Sequence, residues 1–250
     1  MPPRYEVIGV EGIPEVRRGE DVGRLIADAA AGQGTPLAAR DLVVVSQKIV
    51  SKSEGAMVRL AEVTPSARAL ALAQEVQRDP RLVEVILAES RRVVRHAKDV
   101  LIVETHHGFV CANAGVDQSN VDADTACLLP KDPDASARAL RQRLSELTGH
   151  VLAIIVADTF GRPWREGLAN VAVGIAGFAP LKSYLGEIDP AGHVLQATVL
   201  AVADELASAA EPVMGKLDRI PVAIIRGIAW EPGDASIQAL LRDPARDLFR

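Results

Sequence analysis

Two short stretches place carboxylates where they could do chemistry. AGVDQSN (Ala114–Asn120) and VADTFGRPWREG (Val156–Gly167) set Asp117 and Asp158 among small or amide residues at the end of apolar runs, with no lysine beside either in the chain. Two carboxylates about 4 Å apart would repel by roughly 4 kcal/mol at an effective dielectric near 20, so their convergence requires a counter-charge. Mg²⁺ or Mn²⁺ meets that need through one or two carboxylates and a remainder of water or phosphate oxygens. Thr159 would add a hydroxyl or carbonyl oxygen. The plainer reading makes Asp117 an Asx-turn and Asp158 a helix cap. Asn120, Arg162 and Arg165, crowding the same two loops, weigh against it.

Other residues suit anions. Lys48 and Lys52 in SQKIVSK follow a strand end, where a lysine can meet a phosphate as a point charge, although two exposed lysines on a hairpin would read the same. Arg162, Trp164 and Arg165 fall in FGRPWREG, and guanidinium forks suit carboxylate or phosphate; a Trp anchor flanked by surface ion pairs is the alternative. GxxxxGK[ST], GxGxxG and GxSxG are all absent. The five histidines fit no zinc spacing, so His106 and His107 read as turn residues.

The elements that must carry these residues alternate between types. Tyr5–Val10 reads as a strand ending at Pro14; Asp21 reads as the cap of a helix with Val22, Leu25, Ile26 and Ala29 on one face. Leu42–Val45 is a short buried strand. Pro65–Gln77 and Pro80–Ser90 read as helices capped by Thr64 and Asp79. Short strands follow at 92–95, 100–103 and 109–112, the last two joined as a hairpin through His106-His107-Gly108. Asp132-Pro133 opens a helix stopped by Gly149, and Val151–Val156 is a strand covered on both faces that delivers Asp158 at its carboxyl end. Asn170–Phe178 is small and apolar, 189–192 is a turn, 200–213 is helical and Val222–Arg226 is a buried strand. One short helix and a loosely held charged end close the chain from Asp234.

With 48% hydrophobic and only 3% aromatic residues, the core must be Val, Ile, Leu and Ala, which favours a mixed α/β (α+β) fold. No linker is legible, so residues 1–250 read as one domain, or two subdomains of unplaced boundary. The net charge of −5, with both signs interspersed, argues against nucleic acid. No eighteen-residue apolar run occurs, which argues against a membrane span, and two cysteines without CxxC spacing read as buried thiols in a reducing, cytoplasmic setting.

GIPE (12–15), SQKIVSKSEG (46–55), AGVDQSN (114–120), ADTFGRPWREG (157–167) and VMGKLDRIPVAIIRG (213–227), in that order, resemble the coenzyme F-420:L-glutamate ligases over essentially the whole chain. That resemblance implies GTP-dependent addition of γ-linked glutamates to the deazaflavin precursor F-420-0 through an acyl phosphate, releasing GDP and phosphate. It implies a family-specific fold of mixed and antiparallel sheets flanked by helices, distinct from Rossmann and ATP-grasp folds, and a homodimer of the stand-alone form without a C-terminal reductase domain. It further implies GTP contacts at Ile13, Pro14, Glu15, Val16, Gln47, Lys52, Asn120, Met214, Gly215 and Lys216. It also implies metal contacts at Asp117, Asp158 and Thr159, for one or two Mg²⁺ or Mn²⁺ ions with a monovalent helper such as K⁺. Gln47 stands where a serine can occur, so its backbone is the expected contact; Arg162 and Arg165 are assigned to acidic substrate groups on their chemistry. A metal-dependent phosphohydrolase and a non-catalytic GTP-binding protein are the competing readings.

Overall fold

The computed structural model describes residues 2–248. The order of elements is β1 (Glu6–Gly9), α1 (Val22–Gly32), β2 (Leu42–Ser46), α2 (Gln47–Glu54), β3 (Met57–Arg59), α3 (Ala67–Val76), α4 (Pro80–Ala88), β4 (Ser90–Ala97), β5 (Val100–Thr105) and β6 (Val110–Ala112). Then come β7 (Thr125–Cys127), α5 (Pro133–Thr148), β8 (Ala153–Gly161), β9 (Leu168–Ala176), β10 (Lys182–Ser183), β11 (Val199–Leu200), α6 (Val202–Met214) and β12 (Val222–Arg226).

Local chemistry sets most boundaries. The carboxylates of Asp21, Asp79 and Asp132 accept backbone N–H groups of Arg24, Arg81 and Ala135, which satisfies first-turn donors of α1, α4 and α5. Gly149 ends α5 at φ 73°, a left-handed conformation that glycine adopts without penalty. α3 begins later than its proline suggests, because the Ser66 hydroxyl, rather than Thr64, caps it by accepting from Ala69 N.

The central sheet has strand order β1-β12-β2-β8-β9, in which only β2 and β8 run parallel. Leu42–Val45, Ala153–Ala157 and Val222–Ile225 are buried at every position. Successive side chains point to opposite faces, so both faces of the sheet are covered. α5 packs on β8 and β9, and α1 packs on α5; α6 lies against β9, β1 and β12. The outer strand β9 would expose unpaired N–H groups, but the Asp204 and Asp134 carboxylates accept from Ala172 N at 3.0 Å and Ile175 N at 2.9 Å. These acceptors close the edge against pairing with another chain.

A second apolar cluster, including Leu60, Val76, Leu82, Ile86, Leu101 and Val103, joins α3 and α4 to the antiparallel sheet β4-β5-β6. The hairpin expected through His106-His107-Gly108 joins β5 to β6. Mixed and antiparallel sheets flanked by helices thus make up the α+β fold.

Three sequence expectations need correction. Val151 is 60% exposed and outside the strand; β8 starts at Ala153 and runs through Asp158 to Gly161, paired to β9. Asp158 therefore lies within a strand, and neither ends one nor caps a helix. The tail forms two 3-10 turns, at Ile237–Leu240 and Pro244–Arg246, in place of one short helix; ahead of the charged end, Ser236 Oγ donates to Asp134 Oδ2 at 2.6 Å and Ile237 N donates to the same oxygen at 3.0 Å.

Candidate functional site

The parallel register of β2 on β8 sets Ser46 beside Ala157, so the start of α2 and Asp158 emerge from the sheet next to each other. Ser46 caps α2 by accepting from Lys48 N, and Gly55 ends the helix at φ 76°. A bulge between Val156 and Ala157 in the β8–β9 pairing re-aims the following residues. Asp117 comes from elsewhere: it bridges to Cys127 through both backbone groups, which fixes the 117–120 loop over α2.

These elements enclose a cavity of about 50 Å³, lined by Asp117, Asp158, Thr159, Asn170, Lys48 and Lys216 together with Ser46 and Met214. That volume holds an ion with a few waters, or a phosphoryl group, but not a nucleotide.

Lys48 Nζ donates to Asp117 Oδ2 at 2.8 Å and to Ser119 O and Oγ, each at 2.9 Å. Ser119 N donates to Asp117 Oδ1 at 2.7 Å, so the Asx-turn is present as well. Burial pushes the Asp117 carboxyl up, but the Lys48 ammonium and Ser119 donors prevail and hold it below its ordinary value. Asp158 is the opposite case. It keeps a small exposed edge toward the cavity while protein surrounds the rest, and burial pushes its carboxyl up to about 6; the Asp117 charge adds to the rise, while the Thr159 N–H and the lysines Lys48 and Lys216 oppose it.

Thr159 is oriented by a relay. Asn170 Nδ2 donates to Glu211 Oε2 at 2.6 Å, which turns its amide oxygen toward Thr159, and Thr159 Oγ1 donates to that oxygen at 2.8 Å. With its proton committed there, the hydroxyl oxygen presents lone pairs to the cavity. Asn170, the one polar residue at the head of a small apolar run and only 4% exposed, carried that signal in the sequence.

The remaining expected residues divide. Lys52 Nζ is paired with Glu15 and donates to Asn120 O at 2.7 Å, so the 13–16 loop, α2 and the acidic loop meet at one point. Ile13 is half-buried, Pro14 and Glu15 are exposed and Val16 is buried. The Gln47 side chain turns inward, 1% exposed, accepting from Ser51 Oγ at 2.9 Å, which leaves its backbone for any ligand. Gly215 caps α6 with φ 58° and ψ 175°, and carries Lys216 to the cavity wall. Arg162 and Arg165 are exposed at the β8–β9 hairpin tip outside the cavity lining, and Arg162 is bonded to the Glu166 and Gly167 carbonyls of its own turn.

Among the described residues no three His, Cys, Asp or Glu side chains gather as a metal cage. The donors present, two carboxylates and a hydroxyl, are all oxygen; they fit a hard divalent cation that retains waters. A mixed α/β fold with a small acid-and-lysine cavity at the seam of its sheet defines a protein built to handle charged oxygen groups. The model of the F-420-0:gamma-glutamyl ligase family matches residues 12–227. The chain is 48% identical to the coenzyme F-420:L-glutamate ligase of Methanothermobacter thermautotrophicus, over 98% of each chain. It is 44% identical to that of Methanopyrus kandleri, over 96% of this chain and 97% of the relative. Against that of Methanocaldococcus jannaschii the identity is 40%, over 99% and 97%. The chain belongs to the F-420-0:gamma-glutamyl ligase family.

Proposed function

We propose that the chain is a GTP-dependent ligase that joins L-glutamate to F-420-0 by an amide bond and extends the product with further γ-linked glutamates. The observation that carries this reading is the convergence of Asp117, Asp158 and Thr159 oxygens with Lys48 and Lys216 on one small cavity in a chain of this family. Asp117, Asp158 and Thr159 would hold a divalent cation, Mg²⁺ or Mn²⁺; when bound it would offset the charge on the transferring phosphate. Lys216 presents its ammonium group to phosphate oxygens from the cavity wall, and Lys48, whose three donors are held by Asp117 and Ser119, adds positive charge beside it. The loop at Ile13–Val16, Lys52, Asn120 and the turn at Met214–Lys216 border the space a nucleotide would take. The acceptor carboxylate attacks the γ-phosphorus of GTP and GDP leaves; the amine of glutamate then attacks the acyl phosphate, phosphate leaves and the amide forms.

The same reading includes a homodimer in the cytoplasm. The β10–β11 arm supports the dimer, because Leu185, Ile188, Val194, Val199 and Leu200 lie exposed along it. Incubation with F-420-0, GTP, L-glutamate and Mn²⁺ should give a product heavier by one glutamyl unit, with one GDP per amide. GDP release indifferent to acceptor and glutamate would instead make the protein a phosphohydrolase, and GTP binding without turnover a non-catalytic protein.

A further inference from the structure

Helix α6 lies along the outer strand β9 and meets it through three polar side chains spaced as one stripe of the helix, Asp204, Ser208 and Glu211. Two of them serve the strand's backbone. Asp204 accepts from Ala172 N, and Ser208 Oγ donates to the Asn170 carbonyl at 2.7 Å, so both satisfy the open edge of the sheet. Glu211 is different: it reaches a side chain, accepting from Asn170 Nδ2 at 2.6 Å, and no strand N–H or C=O needs it there.

The two ends of an asparagine amide have nearly the same shape, and only its partners decide which way it faces. Asn170 is 4% exposed, lines the acidic cavity and lies opposite Thr159 in the β8–β9 register. A carboxylate at Glu211 offers acceptors only, so the amide N–H₂ must turn to α6 and the amide oxygen to Thr159, whose hydroxyl donates to it at 2.8 Å. The reverse orientation would have other chemistry. Asn170 Nδ2 would then donate to Thr159 Oγ1, and the hydroxyl proton would swing toward the cavity, where it would oppose a cation and favour an anionic oxygen. Glu211 stands outside the cavity lining, so it acts there only through Asn170.

We propose that Glu211 is a positioning residue: by fixing the polarity of the Asn170 amide it keeps the Thr159 oxygen an acceptor, so that this corner of the cavity selects a divalent cation over a phosphate oxygen. This role rests on the cation site of the ligase reading above. Glu211→Gln keeps the shape but offers a donor as well as an acceptor, so that either orientation of Asn170 is satisfied.

Mn²⁺ isotherms, followed by the paramagnetic resonance of the free ion and recorded without GTP, would compare wild type, Glu211→Gln, Thr159→Val and their double variant. Glu211→Gln should bind Mn²⁺ about tenfold more weakly, the usual cost of losing the group behind a metal ligand, with a melting temperature close to that of wild type. Thr159→Val has no hydroxyl to orient, while Asp117 and Asp158 remain, so adding Glu211→Gln to it should change the affinity by less than about twofold. Glu211→Gln/Asn170→Asp returns an acceptor-only group beside the Thr159 hydroxyl at unchanged net charge, and should restore at least the wild-type affinity. Where Thr159→Val binds too weakly to measure, that recovery decides alone. A Glu211→Gln isotherm like that of wild type, a loss that persists on Thr159→Val, or a loss that Asn170→Asp does not recover overturns the positioning role and leaves the cation site standing. Wild type that binds no Mn²⁺ overturns the cation site and the positioning role together.

Discussion

Lys48 Nζ lies 2.8 Å from Asp117 Oδ2, an ion pair that closes 69 residues of chain and places the cation at the mouth of the acidic cavity. The lysine neutralises the aspartate and also faces the space where phosphate would enter, so its removal should affect chemistry more than folding. We expect Lys48→Met to lower kcat/KM for GTP about 100-fold, the usual cost of one electrostatic contact to a transferring group. The side chain is 14% exposed and Asp117 keeps its Ser119 donors, so the melting temperature should fall by only a few degrees, roughly 1 kcal/mol. Steady-state kinetics beside a thermal melt checks both halves; near-normal turnover would remove Lys48 from phosphate binding.

Of the acidic pair, Asp158 is the one with no cation bonded to it among the described residues, and its substitution isolates the proposed metal role. Asp158→Asn keeps the shape and removes the charge. Mn²⁺ affinity, followed by the paramagnetic resonance of the free ion, should drop at least about tenfold, and turnover by orders of magnitude, with the circular dichroism unchanged. An unaltered Mn²⁺ isotherm would mean that the ion, if bound at all, sits elsewhere.

Much of the frame was legible and its convergence was not. The helix over Pro133–Thr148 announced itself by Asp132-Pro133 and Gly149, and the buried strands by their β-branched runs. α2 is hard to read because Gln47–Glu54 is largely polar: of its four buried residues only Ile49 and Val50 are apolar, and the real signals are the cap Ser46 and the stop Gly55. The end of β8 was hidden for another reason. ADTFG lacks the composition of a strand, and pairing with Leu168–Ala172 imposes the extended form. The Lys48–Asp117 and Thr159–Asn170 contacts join distant positions or adjacent strands, which no local pattern encodes.

Gly215 offers a test of the loop that carries Lys216. Its φ of 58° with ψ of 175° is a region open essentially to glycine, and a Cβ there would lie 2.0 Å from Asp218 Oδ2. Gly215→Ala should therefore cost about 1–3 kcal/mol of backbone strain and shift Lys216 from the cavity wall. KM for GTP should rise more than kcat falls, since a binding contact is displaced while the acidic pair is untouched. An unchanged KM would show that Lys216 does not meet the nucleotide.

Asp204 should make stability depend on pH in a direction opposite to most carboxylates. It sits in the first turn of α6, where the helix favours a negative charge by about 0.3–1 kcal/mol, and it accepts from Ala172 N. Burial nevertheless raises its carboxyl above the ordinary value, with the Ala172 N–H only partly offsetting the rise. In the unfolded chain the group ionises near 3.8, so between that pH and its raised folded value the native state holds more protons than the unfolded one. Its contribution to stability is then full below 3.8 and is lost as pH rises through the folded value. Asp204→Asn keeps an acceptor for Ala172 N and removes the titration. The variant should match wild type at low pH and become the more stable protein as pH rises to neutrality, each kcal/mol appearing as about 2–4 °C in Tm for a chain of this size. A difference that is flat with pH, or that favours wild type at neutrality, would mean that the helix terminus outweighs burial at this carboxylate.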